Sequence, residues 1–178
     1  MTRLFASVCF AALLATPAFA ALNLGAKAPD FSARASMAGK QFNFALADAL
    51  KKGPVVLYFY PAAFTPGCTV EAHNFADAME DFEKLGATVI GVSHDSIETL
   101  DRFSLTECRS KFPVAADASG NIMKNYDSVS TGNPERAART SYVIAPDGRV
   151  LYTYTANDPT HHVEYTMAAV HKYASEHK

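Results

Sequence analysis

Residues 54–85 read PVVLYFYPAAFTPGCTVEAHNFADAMEDFEKL, and the rest of the chain is interpreted from them. Val55 to Tyr60 is an unbroken apolar run of β-branched and aromatic residues, the composition of a strand buried on both faces of a largely parallel sheet. A turn rich in proline and glycine, Pro61 to Gly67, leads into a helical pattern from about Cys68 to Leu85. Val70, Phe75, Met79, Phe82 and Leu85 approximate one apolar stripe that reads as core packing, and Gly86 is a natural stop. Cys68 therefore falls at the junction of turn and helix. There the first backbone N–H groups lack intrahelical partners and the positive end of the helix dipole favours a thiolate. Cysteines in such places titrate at about 3.5 to 7.5 instead of about 8.5, so Cys68 is expected to be a nucleophile at neutral pH. A buried, inert cysteine is the plainer alternative, but it would not need Pro61, Thr65, Pro66 and Gly67 arranged around it.

Working outward, Thr88 to Ser93 is a second buried strand and completes a βαβ unit with a right-handed crossover. Asp95-Ser96-Ile97-Glu98 has the form of a capping box that opens a helix through Leu100 and Phe103 toward Cys108, stopped by Phe112-Pro113. Val114 to Ala116 is read as a short strand, Ile122 to Tyr126 as a brief helix, and the polar stretch Ser128 to Glu135 as a loop. Thr140 to Ala145 and Arg149 to Thr155 form a hairpin about Pro146-Asp147-Gly148. Asp158-Pro159 is expected to cap a final helix whose inward face holds Val163, Met167 and Val170. Before the central strand, Phe31 to Ala35 and Lys40 to Phe44 flank Met37-Ala38-Gly39 as a small hairpin, followed by a helical turn at Ala45 to Lys52. On this order the fold class is α/β with a mixed sheet.

The 178 residues suffice for one domain with a sizeable core. Residues 1–20, MTRLFASVCFAALLATPAFA, have a basic start at Arg3, an apolar run too short to span a bilayer comfortably, and Ala18-Phe19-Ala20 as a small-residue cleavage signal. They read as a secretory signal peptide, leaving 21–178 as the mature domain, exported and periplasmic. Its removal takes Cys9 with it, so that Cys68 and Cys108 remain as a pair in an oxidising compartment. Without Arg3 the chain carries 15 basic residues against 18 acidic ones, a balance of −3. That gives no electrostatic reason to expect nucleic acid or an anionic membrane surface as a partner.

Pro61, Thr65 and Cys68 stand as P-x-x-x-T-x-x-C, and YFYPAAFTPGCTVEAHNF around them resembles the active-site signature of peroxiredoxins, in particular the bacterioferritin-comigratory or Q-type subfamily. The likeness continues in APDFSARASMAGK, GVSHDSIETLDRF, KFPVAADASGNI and RTSYVIAPDGRVLYTY, five collinear segments in all. It implies a thioredoxin-like fold, a central mixed β-sheet flanked by helices with an N-terminal β-hairpin. It also implies a thiol-dependent peroxidase for hydrogen peroxide and small organic hydroperoxides, with no cofactor and no metal. A thioredoxin-like protein or a small thiol would be the reductant. The subfamily leans toward a monomer, with a dimer as the alternative.

The roles follow from what peroxide reduction requires: an aligned thiolate and stabilisation of the departing oxygen. Cys68 would attack and Thr65 would set its hydroxyl between sulfur and peroxide, as the matching threonine does in the family, and the resemblance gives Pro61 the task of shaping and drying the pocket. The resemblance assigns the guanidinium that holds thiolate and peroxide to Arg139, at the start of RTSYVI, with Arg136 as a nearby competitor. It gives Glu71 the task of orienting that arginine. The Cys68 sulfenic acid must then meet a second thiol. Many Q-type proteins carry it five positions on, where this chain has His73, which leaves Cys108 as the internal resolving cysteine or an external thiol in its place. Closing a Cys68–Cys108 disulfide is expected to unwind the first turn around Cys68.

Two other functions compete. A disulfide reductase of the same fold would want C-x-x-C, but Thr65 occupies the first position. A copper- or metal-handling module would want paired cysteines near 68. His161-His162, His171 and His177 are read as solvated histidines, because no Cys or carboxylate cluster accompanies them at zinc-site spacing.

Overall fold

A computed structural model describes residues 21–177; the proposed signal peptide lies outside the described residues. Twelve elements follow in order: β1 (Ser32–Met37), β2 (Lys40–Ala45), α1 (Leu46–Leu50), β3 (Val55–Phe59), α2 (Pro66–Lys84), β4 (Thr88–Ser93), α3 (Ile97–Thr106), β5 (Val114–Ala116), α4 (Asn121–Asn125), β6 (Thr140–Ile144), β7 (Val150–Thr155) and α5 (His162–Glu176). The strands form one seven-stranded sheet in the order β2-β1-β5-β4-β3-β6-β7. β3, β4 and β5 run parallel, while β6 is antiparallel to β3 and β1 to β5, so the sheet is mixed. All five residues of β3 are buried, which explains a strand without polar alternation: helices cover both its faces. Val56 and Tyr58 belong to a core cluster shared with α2, α3 and α5, whereas Val55, Leu57 and Phe59 belong to a second one shared with α1 and α4.

Close packing on the α2 side depends on Gly91 in β4. A methyl group there would come within 2.7 Å of the Tyr58 ring, which is itself stacked on Phe75 of α2 at 4.4 Å. Three local expectations are corrected. Helix α2 starts at Pro66, with the missing N–H of proline at the first helical position, so Cys68 sits inside the first turn instead of opening it. Val70 is exposed, outside the apolar stripe, because α2 turns that side outward next to the turn. The last helix begins at His162, not at Asp158-Pro159: the Asp158 carboxylate accepts from the Thr160 N–H at 3.0 Å and closes a separate turn ahead of it.

Candidate active site

The end of β3 and the start of α2 are joined by Pro61 to Thr65, and this turn is held from three sides. Asp95, just after β4, accepts from the Ala63 N–H and from the Ser93 hydroxyl, both at 2.8 Å. The Thr65 hydroxyl donates to the Ala62 carbonyl at 2.9 Å. Phe64, in the left-handed region at φ 62°, lays its exposed ring edge-on to Phe103 of α3 at 5.2 Å, beneath the Arg102 guanidinium. A non-glycine residue in that conformation costs energy that its surroundings must repay.

Cys68 is the third residue of α2, 1% exposed, and its own N–H and that of Gly67 have no partner within the helix. Arg139, the residue before β6, is brought to it because β6 and α2 both adjoin the C-terminal end of β3: Phe59 pairs with Thr140. Arg139 Nη2 donates to Cys68 Sγ at 3.5 Å, Nη1 donates to Glu71 Oε2, and Nε donates to the Asn157 carbonyl at 3.0 Å. The guanidinium is thus fixed on all its edges, with Glu71 one helical turn beyond Cys68 on the same inward side. Both are buried, Arg139 to 5% exposure and Glu71 to none. Burial pushes the Glu71 carboxyl up to about 8, partly opposed by Arg139.

His162 overturns the reading of the paired histidines as solvated. It is fully buried at the start of α5, with Nδ1 3.6 Å from Glu71 Oε1 and 2.8 Å from the Ser141 hydroxyl of β6. Its Nε2–H donates to the Ala156 carbonyl at 3.1 Å, and burial lowers its pKa to about 4. The reason is geometric: α5 starts after the Asp158 turn, and His162, Thr166 and Val170 form its buried line. The spacing of four through Val170 was a usable signal, and it would have placed His162 inward. Ser141 carries no motif that distinguishes it, and Asp95, read as the first residue of a capping box, holds the turn instead, while Ser96 caps α3 by accepting from the Thr99 N–H at 3.3 Å.

The expected residues do not all converge on the sulfur. Cys68, Arg139 and Glu71 form one bonded chain, and Thr65 lies in the same turn with its proton engaged by Ala62. Pro61 lines a neighbouring cleft of about 190 Å³ together with Ala62, His94, Asp95, Glu135 and Arg136; the exposed Arg136 stands there, whereas Arg139 holds the sulfur. Cys68, expected to be a nucleophile, is almost wholly covered, so a substrate reaches its sulfur only when the rim yields. Cys108 lies just past α3, fully buried in the same core cluster as Cys68, and both thiols are free. Burial, and then the Glu107 carboxylate, push the Cys108 thiol far up. His73, on α2, meets Glu107 in a hydrogen bond at 3.0 Å, and Asp77 meets Arg109 in an ion pair, so two contacts tie α2 to the residues on either side of Cys108.

Residues 24–153 match the AhpC/TSA family. A chloroplastic peroxiredoxin Q of Populus jackii is 33% identical over 150 residues, which cover 84% of this chain and 68% of that protein. Among solved structures, peroxidoxin BcpB of Mycobacterium tuberculosis superimposes with a TM-score of 0.76 at 30% identity, covering 84% of this chain and 96% of that one. PrxQ of Xylella fastidiosa does so with 0.77 at 25% identity, covering 87% and 99%.

Proposed function

The chain belongs to the AhpC/TSA family, and on that premise we propose that it is a thiol-dependent peroxidase in which Cys68 attacks hydrogen peroxide or a small organic hydroperoxide. The observation that carries the assignment of Cys68 is the Arg139 guanidinium at its sulfur, in a site where the first amides of α2 also lack partners. Both favour negative charge on the sulfur. In the reaction the S–O bond forms and the O–O bond breaks, giving a sulfenic acid and an oxyanion that is protonated to water or an alcohol. Arg139 is positioned to stabilise that oxyanion, and its burial strengthens the effect. Thr65, its proton held by Ala62, offers its oxygen as acceptor for the peroxide hydrogen. Glu71 fixes Arg139, and Pro61 forms part of the rim.

Cys108 then condenses with the sulfenic acid: the S–S bond forms and water leaves. A disulfide needs Cα atoms within about 7 Å, and the high pKa of the buried Cys108 thiol makes it a poor nucleophile until its surroundings open. Local opening of the first turn of α2 and of the segment after α3 supplies both changes. An external dithiol protein or small thiol reduces the product in an exported, periplasmic location, after loss of residues 1–20, with the protein acting as a monomer. One equivalent of peroxide added to the reduced protein tests the reading by intact mass. Wild type should lose two hydrogens, Cys108→Ser should gain one oxygen, and Cys68→Ser should remain unchanged; retention of both wild-type thiols would refute it.

A further inference from the structure

Glu71 has one oxygen that the arrangement around Cys68 does not satisfy. Oε2 accepts from Arg139 Nη1, but Oε1 is fully buried and has no donor. His162 Nδ1 faces it at 3.6 Å. In a neutral ring that atom has no hydrogen to give. Nε2 points at the Ala156 carbonyl, which can only accept, so the ring hydrogen is on Nε2 and the single lone pair of Nδ1 is left to accept one hydrogen, from the Ser141 hydroxyl at 2.8 Å or from Glu71. Oε1 and Nδ1 thus face each other as acceptors in a site closed to water, and the unpartnered Oε1 costs energy unless it carries a proton. Among the other titratable or charged groups, Arg139 acts on both members of the pair and is itself in contact with Cys68, Asp158 and His161 act on His162, the Tyr154 ring of β7 packs against His162, and Tyr58 of β3 feels the charge of Glu71.

We infer that in the reduced protein this proton resides on Glu71, and that Arg139 exchanges its anionic partner, from Cys68 to Glu71, when the sulfur is oxidised. The inference rests on Cys68 being the attacking thiolate. One guanidinium touches both groups, and in a buried site one cation balances one anion. Before reaction the thiolate holds that place and Glu71 is a neutral acid; burial, which drives Glu71 up to about 8 and His162 down to about 4, favours the same location for the proton. Attack converts the thiolate into a neutral sulfenic acid and expels an oxyanion. Arg139 then lacks an anion, and Glu71 ionises to replace it. Glu71 releases one proton and the leaving oxyanion takes one, so protein and peroxide together draw none from the medium, and the charge of the buried cluster is unchanged.

The experiment uses the reduced full-length mature protein carrying Cys108→Ser, so that oxidation stops at the sulfenic acid. One equivalent of hydrogen peroxide is added at pH 7 in weakly buffered solution with an indicator dye, with infrared difference spectra and intact mass recorded in parallel. The expected result is close to zero protons taken up per oxygen gained, with loss of a carboxylic-acid carbonyl band. Glu71→Gln on the same background should take up close to one proton and lack the band, with the ultraviolet absorbance of a thiolate present in both proteins beforehand. Uptake of one proton by the parent, the absence of a lost acid band, or a reduced site without thiolate absorbance would overturn the inference while sulfur oxidation still proceeds. A mass that gains no oxygen would instead overturn the peroxidase reading itself.

Discussion

Arg139 Nη2 stands 3.5 Å from Cys68 Sγ, although 71 residues separate the two along the chain. The contact exists because β3 pairs with β6 while also feeding α2, so the sheet delivers a cation to the helix turn that holds the thiol. Replacing the guanidinium by an ammonium tests how much its shape contributes. Lysine keeps the charge but not the fork that reaches Glu71 and Cys68 together, so Arg139→Lys is expected to slow Cys68 oxidation by about 10²-fold or more. Rapid-quench mass spectrometry measures the rate, and circular dichroism should show the fold retained.

Gly67 offers a milder perturbation of the same contact. A Cβ at this position would lie 3.0 Å from Arg139 Nη2, so the guanidinium must move to admit it. Alanine is the better helix former, and Gly67→Ala should therefore leave the thermal midpoint unchanged or raised while lowering the rate of peroxide reduction by about tenfold. Unaltered reactivity would mean that the Arg139–Cys68 alignment is not rate-determining.

The Glu71–His162 pair predicts a particular dependence of stability on pH. Folding raises Glu71 from 4.5 to about 8, so its contribution is fully present below 4.5 and is lost as pH rises through about 8. Folding lowers His162 from 6.5 to about 4, so its contribution is present above 6.5 and is lost as pH falls through about 4. The two slopes oppose one another between about 4.5 and 6.5, and between about 6.5 and 8 the Glu71 decline no longer meets opposition from His162. Because the proposed Cys68 thiolate adds an opposing slope in the same window, the decline is read as a difference: relative to Glu71→Gln, urea unfolding of the reduced protein should lose on the order of 2 kcal/mol of stability across it.

Much of this arrangement was legible in the residues. The apolar run at Val55, the turn before Cys68 and the Pro146-Asp147-Gly148 hairpin each have a local physical cause, and all three formed, the turn ending two residues earlier than its composition suggested. The ends of helices were less legible, because Asp158 served a turn of its own and Pro66 entered the helix. His162 was misread because burial is a property of the assembled sheet: only once β6 places Ser141 beneath α5 does a paired, polar-looking histidine acquire a reason to face inward. The covering of Cys68 likewise depends on contacts between distant segments, which no local pattern encodes.

The segment carrying Cys108 should open more readily when its ties to α2 are cut. His73–Glu107 and Asp77–Arg109 are partly exposed pairs, each worth little alone. Glu107 also adds to the upward push on the Cys108 thiol. Glu107→Gln is therefore expected to accelerate conversion of the Cys68 sulfenic acid to the disulfide, by about two- to fivefold, with no change in the initial oxidation of Cys68. Stopped-flow peroxide addition followed by acid quench and mass analysis separates the two steps, and a slowed second step would contradict the proposed opening.

The most direct test of the whole account sets the reduced protein against free cysteine in competition for a limiting amount of hydrogen peroxide at pH 7. The account predicts that Cys68 captures the oxidant about 10³-fold or more faster than the free amino acid, and that Arg139→Ala loses most of that advantage. A Cys68 that reacts no faster than free cysteine, with Arg139 intact beside it, would contradict it.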